Sequence, residues 1–400
     1  MWRVAYVCAD PGVPVFGTKG ASIHVQEVVR ALRRAGAEVT LFATRVGGAP
    51  PADLRGIAVQ LLPGLPSGEP AVREQAALAA NQALRAALTA RGPFDLIYER
   101  YALWSHAGMD HAREAGTPGL LEVNAPLIEE QARHRALVHR DAAERVAARA
   151  FTAADALVAV STGVAAYLAT YPGLERRIHM IPNGVDPLRF PAARFARRPP
   201  AREDGTFTVG FVGTLKPWHG LEILMDAFAR LHARHPDCRL LIVGEGPERR
   251  KIEATLEDRR IGFAARLTGA VAPDQVPEYL AAMDVGLAPY PELPDFYFSP
   301  LKVYEYMAAA LPVVASRVGD LDQIVQPEIT GLLCPPGDPA ALTAMLERLR
   351  ADAPLRRRLG NAARARALSE YSWDTVVTRI LDLAGRGSSR TSEHRAAKLA

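Results

Sequence analysis

At 400 residues the chain is too long for one compact core, and its 49% apolar residues can fill two domains. A formal charge of +4, carried by scattered residues, is no footprint for nucleic acid. Cys8, Cys238 and Cys334 lie far apart with no Cys-x-x-Cys and no clustered histidines, which argues against a disulfide framework or a structural zinc and makes a reducing cytosol the default.

The first ten residues read as a strand, not a signal peptide, because their apolar part is short and no cleavage-like site follows. No apolar stretch approaches a membrane span, so a soluble protein is expected, at most peripheral at a membrane. Strand and helix patterns then alternate. Strands are expected at 3–8, 38–43, 96–98, 119–123, 156–160 and 178–181, with a helix after the first loop whose inner face is Val25, Val28, Val29 and Leu32. Residues 129–150 read as one long helix, rich in arginine but balanced by Glu129, Glu130, Asp141 and Glu144. That balance favours a solvated face over a membrane-binding one. Four prolines between 187 and 204 break the periodicity and read as a linker. A second alternation follows, with strands at 208–212, 240–243, 267–268, 285–288 and 312–315, and then a helix face made by Trp373, Val376, Val377 and Ile380. The expected plan is α/β: a first domain at 1–187, a linker at 188–206, a second domain at 207–371, and a frayed tail at 388–400. Both halves predict doubly wound parallel sheets, which bind ligands at the carboxyl ends of their strands.

Three loops in such positions, beginning at Gly12, Gly213 and Gly244, and one helix start carry chemistry. Gly12 to His24 follows the first strand and contains Gly17-Thr18-Lys19-Gly20. A P-loop needs lysine directly after its second glycine, so the order here excludes one. Ser22 is expected to cap the helix, with Lys19 and His24 turned towards a cleft; the bland reading is a plain strand–helix turn. Gly244-Glu245-Gly246-Pro247 matches two glycines of a dinucleotide fingerprint, but Arg249 stands where the third should be. No acid follows the next strand, so NAD is not expected. The helix start is Ser299-Pro300-Leu301-Lys302-Val303-Tyr304-Glu305 and its continuation. Ser299 reads as an N-cap with Pro300 at the first helical position, and Lys302 and Glu305 share a face. A cation and a carboxylate near a helix start suit the phosphate and hydroxyls of a sugar-phosphate or nucleotide. A solvated i,i+3 ion pair, contributing about 0.2–0.5 kcal/mol, fits the local pattern equally well.

Residues 299–316, Ser-Pro-Leu-Lys-Val-Tyr-Glu-Tyr-Met-Ala-Ala-Ala-Leu-Pro-Val-Val-Ala-Ser, resemble the donor-site signature of retaining glycosyltransferases of family 4, with the GT-B fold of two Rossmann-like domains facing a cleft. The resemblance extends over roughly residues 3–383. It implies that Glu305 binds the ribose hydroxyls of a nucleotide-sugar. The family's usual partner glutamate, eight residues earlier, is Tyr297 here, as in a Ser-Pro-x-Lys branch. The loop Gly213-Thr214-Leu215-Lys216-Pro217-Trp218-His219-Gly220 departs too, because the arginine and lysine that usually clamp the diphosphate are Thr214 and His219. The charge is then expected to fall to Lys216, Lys302 and backbone amides, with His219 a weaker candidate or a packing residue.

By the same resemblance Gly244 and Gly246 form a turn near the donor, Val271 reads the base through its backbone, and Ser299, Pro300 and Leu301 border the donor. Gly17, Thr18, Lys19, Gly20 and His24 lie on the acceptor side. Asn124 stands about where many members place a histidine, and a final helix (372–385) returns to the first domain. Glu99 and Arg100 are read as a pair, more structural than functional. The activity implied is sugar transfer from a nucleoside diphosphate to an acceptor hydroxyl with retention, with no metal and no cofactor beyond the co-substrate. The acceptor would be a sugar, a lipid-linked molecule or a small molecule. Two rivals stand beside it, a sugar-nucleotide 2-epimerase and a non-catalytic sugar-nucleotide binder.

Overall fold

A computed structural model describes residues 1–191, 195, 205–293 and 296–385. The chain divides into two compact units. One holds Met1–Asn183, Tyr297–Ser299 and the helix 373–385; the other holds Gly184–Phe296 and Pro300–Ser372. Most of the expected linker and the whole tail 388–400 lie outside the described residues. The linker's first residues belong to the second unit, where Pro187–Arg189 form a 3-10 turn capped by Asp186 and Phe190 is fully buried.

The first unit is built on seven parallel strands: β1 (Arg3–Cys8), β2 (Glu38–Ala43), β3 (Ala58–Leu61), β4 (Leu96–Arg100), β5 (Gly119–Val123), β6 (Ala156–Ala159) and β7 (Ile178–Met180). Their order is β3-β2-β1-β4-β5-β6-β7. Alternate residues of β1 feed opposite faces: Val4, Tyr6 and Cys8 join one core, Ala5 and Val7 the other, and all are buried. The first of these cores is completed by Val25, Val28 and Leu32 of the helix Gly20–Arg34 and by Trp373, Val376, Val377 and Ile380.

The second unit has six parallel strands: β8 (Phe207–Val212), β9 (Cys238–Val243), β10 (Ala265–Leu267), β11 (Val285–Ala288), β12 (Val313–Ser316) and β13 (Gly331–Cys334), in the order β10-β9-β8-β11-β12-β13. In both sheets the order reverses beside the first strand, between β1 and β4 and between β8 and β11, and ligands of such sheets bind at that reversal.

Three expectations need correction. The long helix at 129–150 is two helices, Leu127–His134 and Arg140–Ala153. Between them Glu74 accepts bonds from the amides of Val138 (2.9 Å) and His139 (2.8 Å), which replaces helical hydrogen bonding there. Ser22 does not cap the first helix: Lys19 holds the cap position without a side-chain bond, and the Ser22 hydroxyl is buried in the first turn. Ser299 caps nothing either. The helix Leu301–Ala308 starts from Pro300, and the Ser299 hydroxyl accepts from the Asn183 amide at 3.3 Å.

Candidate active site

In the second unit, Gly286 of β11 faces the Tyr306 ring so closely that an added Cβ would lie 2.4 Å from it. β8 and β11 pair only at Val285 with Val209 and Gly286 with Gly210, and then part. The Tyr306 hydroxyl fills the opening, accepting from the Val212 amide (2.7 Å) and donating to the Leu287 carbonyl (3.3 Å). The helix Leu301–Ala308 is thus pegged at the sheet's reversal point, where the loops after β8 and β11 rise.

Lys302, on the next face of that helix, is 8% exposed, and its ammonium has no hydrogen-bond partner among the described residues. It lies 4.3 Å from the ring centre of Phe211 and 5.2 Å from that of Tyr290, within cation–π range of both. Gly213 borders it with φ +143°, and an added Cβ there would come 3.3 Å from Nζ. Burial drives the Lys302 pKa down to about 7, and Glu305 only partly opposes this. An ammonium held among rings and glycine backbone, with no hydrogen-bonded anion among the described residues, could receive one from a ligand.

Glu305 does not pair with Lys302. Its Oε1 accepts from Arg189 at 3.1 Å, and both side chains are about one-fifth exposed. Arg189 also donates to the Pro273 carbonyl at 2.7 Å. Sequence reasoning missed Arg189 by placing it in a proline-rich linker; Asp186-Pro187 ahead of it and Phe190 behind it were the signal for an ordered turn.

Around this pair stand the other expected donor residues. Gly244 (φ +141°) and Gly246 let the turn after β9 lie on the loop after β8, since a Cβ on either would meet the Gly213 or Leu215 carbonyl at 2.0 or 2.4 Å. Their first reason is therefore backbone packing. Val271 is half-buried, and its backbone groups carry no intrachain hydrogen bond among the described residues. Thr214 is exposed and its carbonyl lies 2.6 Å from His219 Nδ1, so that nitrogen carries the proton. Burial and then the charge of Lys302 push the His219 pKa down to about 3. His219 is a neutral ring beside Phe211, Trp218 and Tyr290, offering an acceptor and no charge. Lys216 lies half-buried with its ammonium 5.4 Å from the Trp218 ring.

In the first unit the loop after β1 is held by Gln26, which donates to the carbonyls of Val15 (3.0 Å) and Gly17 (2.9 Å). Thr18, Lys19 and Gly20 are exposed. His24 is not at the surface but turned inward, 3% exposed, with Nε2 2.7 Å from Glu122 Oε1 and its ring edge-on to Trp373 at 5.0 Å. It shares the inner helix face with Val28, which is why it cannot point outward. Glu122 also accepts from Arg100 (3.2 Å), Tyr98 and Asn124. Burial would raise its pKa, but His24, Arg100 and Tyr98 together hold it down at about 2. The Asn124 amide is therefore oriented by a permanent carboxylate, with its carbonyl left for another donor. Glu99 and Arg100 do not pair: they lie on opposite faces of β4, and Glu99 is buried against Ser105.

Tyr297, at the position where the resembled family usually carries a glutamate, accepts from Ser161 through its carbonyl (2.7 Å) and bonds Glu130 through its hydroxyl. Among the described residues no group of three or more His, Cys, Asp or Glu could hold a metal, and no helix is long and apolar enough to cross a membrane.

Two family profiles match the chain: "Glycosyltransferase Family 4" over residues 18–189 and "Glycosyl transferases group 1" over residues 206–352. A D-inositol 3-phosphate glycosyltransferase from Acidothermus cellulolyticus is 32% identical over 402 residues, 94% of this chain and 85% of that one. Among solved structures, sucrose-phosphate synthase from Thermosynechococcus elongatus has a TM-score of 0.75 at 24% identity, covering 98% of this chain and 100% of that one. Anabaena HepE, solved in complex with UDP and glucose, has a TM-score of 0.70 at 19% identity, covering 96% and 100%. With both halves matched and a relative of this likeness along nearly its whole length, the chain belongs to the group 1, family 4 glycosyltransferases and is a transferase with the GT-B fold.

Proposed function

We propose that this glycosyltransferase takes its sugar from a nucleoside-diphosphate donor bound on the second unit, and passes it to an acceptor hydroxyl with retention of anomeric configuration. The observation that carries this reading is the buried ammonium of Lys302, without a hydrogen-bond partner among the described residues, at the β8–β11 reversal, one helical turn from the carboxylate of Glu305. The ammonium meets the diphosphate, and the carboxylate accepts from the ribose hydroxyls. HepE, of the same fold, is solved with UDP and with UDP-glucose, a ligand of this chemistry.

As the bond from sugar to diphosphate breaks, negative charge grows on the leaving oxygens, and Lys302 stabilises it without a metal. Its neighbours Phe211, Tyr290 and Gly213 keep water from screening that charge. Glu122 is held ionised by His24, Arg100 and Tyr98 and is fully engaged, so it serves as an orienting group and not as a base. The acceptor's proton passes to the departing phosphate oxygen on the same face of the sugar, which gives retention. Asn124 and Lys19 are the first unit's groups for acceptor hydroxyls.

Calorimetric titration with UDP-, GDP-, ADP- and dTDP-sugars tests the donor reading. Glu305→Ala is expected to weaken binding of the preferred donor by about 1.5–3 kcal/mol, the range for hydrogen bonds to a charged group. Unchanged affinity would refute the role given to Glu305.

A further inference from the structure

Lys302 and Glu305 are three residues apart on one helix, a spacing at which a lysine and a glutamate ordinarily pair. Here they do not. The carboxylate is engaged by Arg189 through Oε1, and the ammonium is left with rings and, among the described residues, no hydrogen-bonded anion. We propose that Arg189 is the positioning residue of the donor site. It holds Glu305 for ribose, keeps it from neutralising Lys302, and ties it to the loop that faces the base.

This rests on the donor reading above and adds a residue to it. Arg189 stands on an ordered support: Asp186 Oδ1 accepts from the Leu188 amide (3.0 Å), Phe190 is fully buried, and the Phe190 carbonyl accepts from Arg364 (2.7 Å). Its guanidinium lies 5.5 Å from the Phe190 ring centre and sends one N–H to Glu305 and another to the Pro273 carbonyl, two residues beyond Val271. A planar fork can serve two acceptors at once in fixed directions, which an ammonium cannot do in the same way. Glu305 Oε2 carries no protein hydrogen bond among the described residues, so it stays free to accept from the vicinal hydroxyls of a ribose. The two charges of the helix are thereby assigned to separate parts of one ligand.

The test measures binding of paired ribo- and 2′-deoxyribonucleoside diphosphates: UDP with dUDP, ADP with dADP, and GDP with dGDP. The unmodified protein is expected to prefer the ribo form of its best nucleotide by roughly tenfold or more, the scale of one hydrogen bond to a charged group. In Arg189→Met that preference should shrink to within about threefold, because the ribo form weakens and the deoxy form changes little. Adding Arg189→Met to Glu305→Gln should then have almost no further effect, since both act through one contact.

Parallel weakening of both forms with the preference intact would make Arg189 merely structural and overturn the proposal. Tighter ribo binding in Arg189→Met would also overturn it, by showing a latch that competes with the ligand. Should Arg189→Met fail to fold, Arg189→Lys carries the same test. Its preference is expected to fall at least threefold, and an unchanged preference overturns the assignment. If the unmodified protein binds none of the diphosphates, the donor reading falls first and takes this one with it.

Discussion

Lys302 pits a residue's ordinary chemistry against its surroundings. A lysine normally stays charged to about pH 10.5, but burial brings this one down to about 7. Between those values the unfolded chain holds a proton that the folded one has released, so stability should rise with pH across that window; below 7 the cost of the buried charge is felt in full. Lys302→Met is therefore expected to raise the melting temperature of the ligand-free protein by a few degrees at pH 6, with the gain fading towards pH 10. The same group predicts that affinity for nucleoside diphosphates falls as pH rises past 7, because binding must then recruit a proton. A pH-independent melting difference would show that the ammonium finds an unseen counter-charge. His219 makes the contrasting case: spacing brought it to the right loop, but only the fold shows that burial and the neighbouring charge of Lys302 keep it neutral, against the pull of the Thr214 carbonyl.

The helix Leu301–Ala308 was legible in its residue types, and Val303, Tyr306 and Met307 are all fully buried. What the letters could not show is why Tyr306 is a tyrosine. Its hydroxyl has work only because β8 and β11 part after Gly210, and that parting is a property of the assembled sheet. Tyr306→Phe should leave the Val212 amide and the Leu287 carbonyl without a partner in a buried place, costing about 1–3 kcal/mol. A urea titration would show this as a lower midpoint with the slope kept; an unchanged midpoint would mean that water reaches the gap. Two short strands also escaped sequence reasoning for opposite reasons. β3 lies at an edge with Ala58 and Leu61 exposed, so it lacks an apolar pattern, while β13 opens on Gly331 and holds no β-branched residue, so it lacks strand-forming residue types.

At the scale of the molecule, alternation of strand and helix patterns was enough to announce two parallel sheets, since each strand needs both faces covered. Arg189 and Glu122 were harder to see because their partners lie 116 and about a hundred residues away, and no local spacing records such pairs. The helix 373–385 is the longest-range instance. Trp373, Val376, Val377 and Ile380 are almost wholly buried in the core that β1 and the helix Gly20–Arg34 begin. Each large apolar side chain there contributes about 1.5–3 kcal/mol, so their sum rivals the whole stability of an ordinary domain. Cutting the chain after Ser372 should open the first unit while leaving the second folded. Hydrogen exchange at β1 and at Gly20–Arg34 is the measurement, and retained protection there would show the helix to be dispensable.

That arrangement also sets a timetable on the ribosome. The first unit emerges early yet keeps one face bare until nearly two hundred later residues have been translated. The second unit can reach its final packing while its elder neighbour is still waiting, so the half made first is the half finished last.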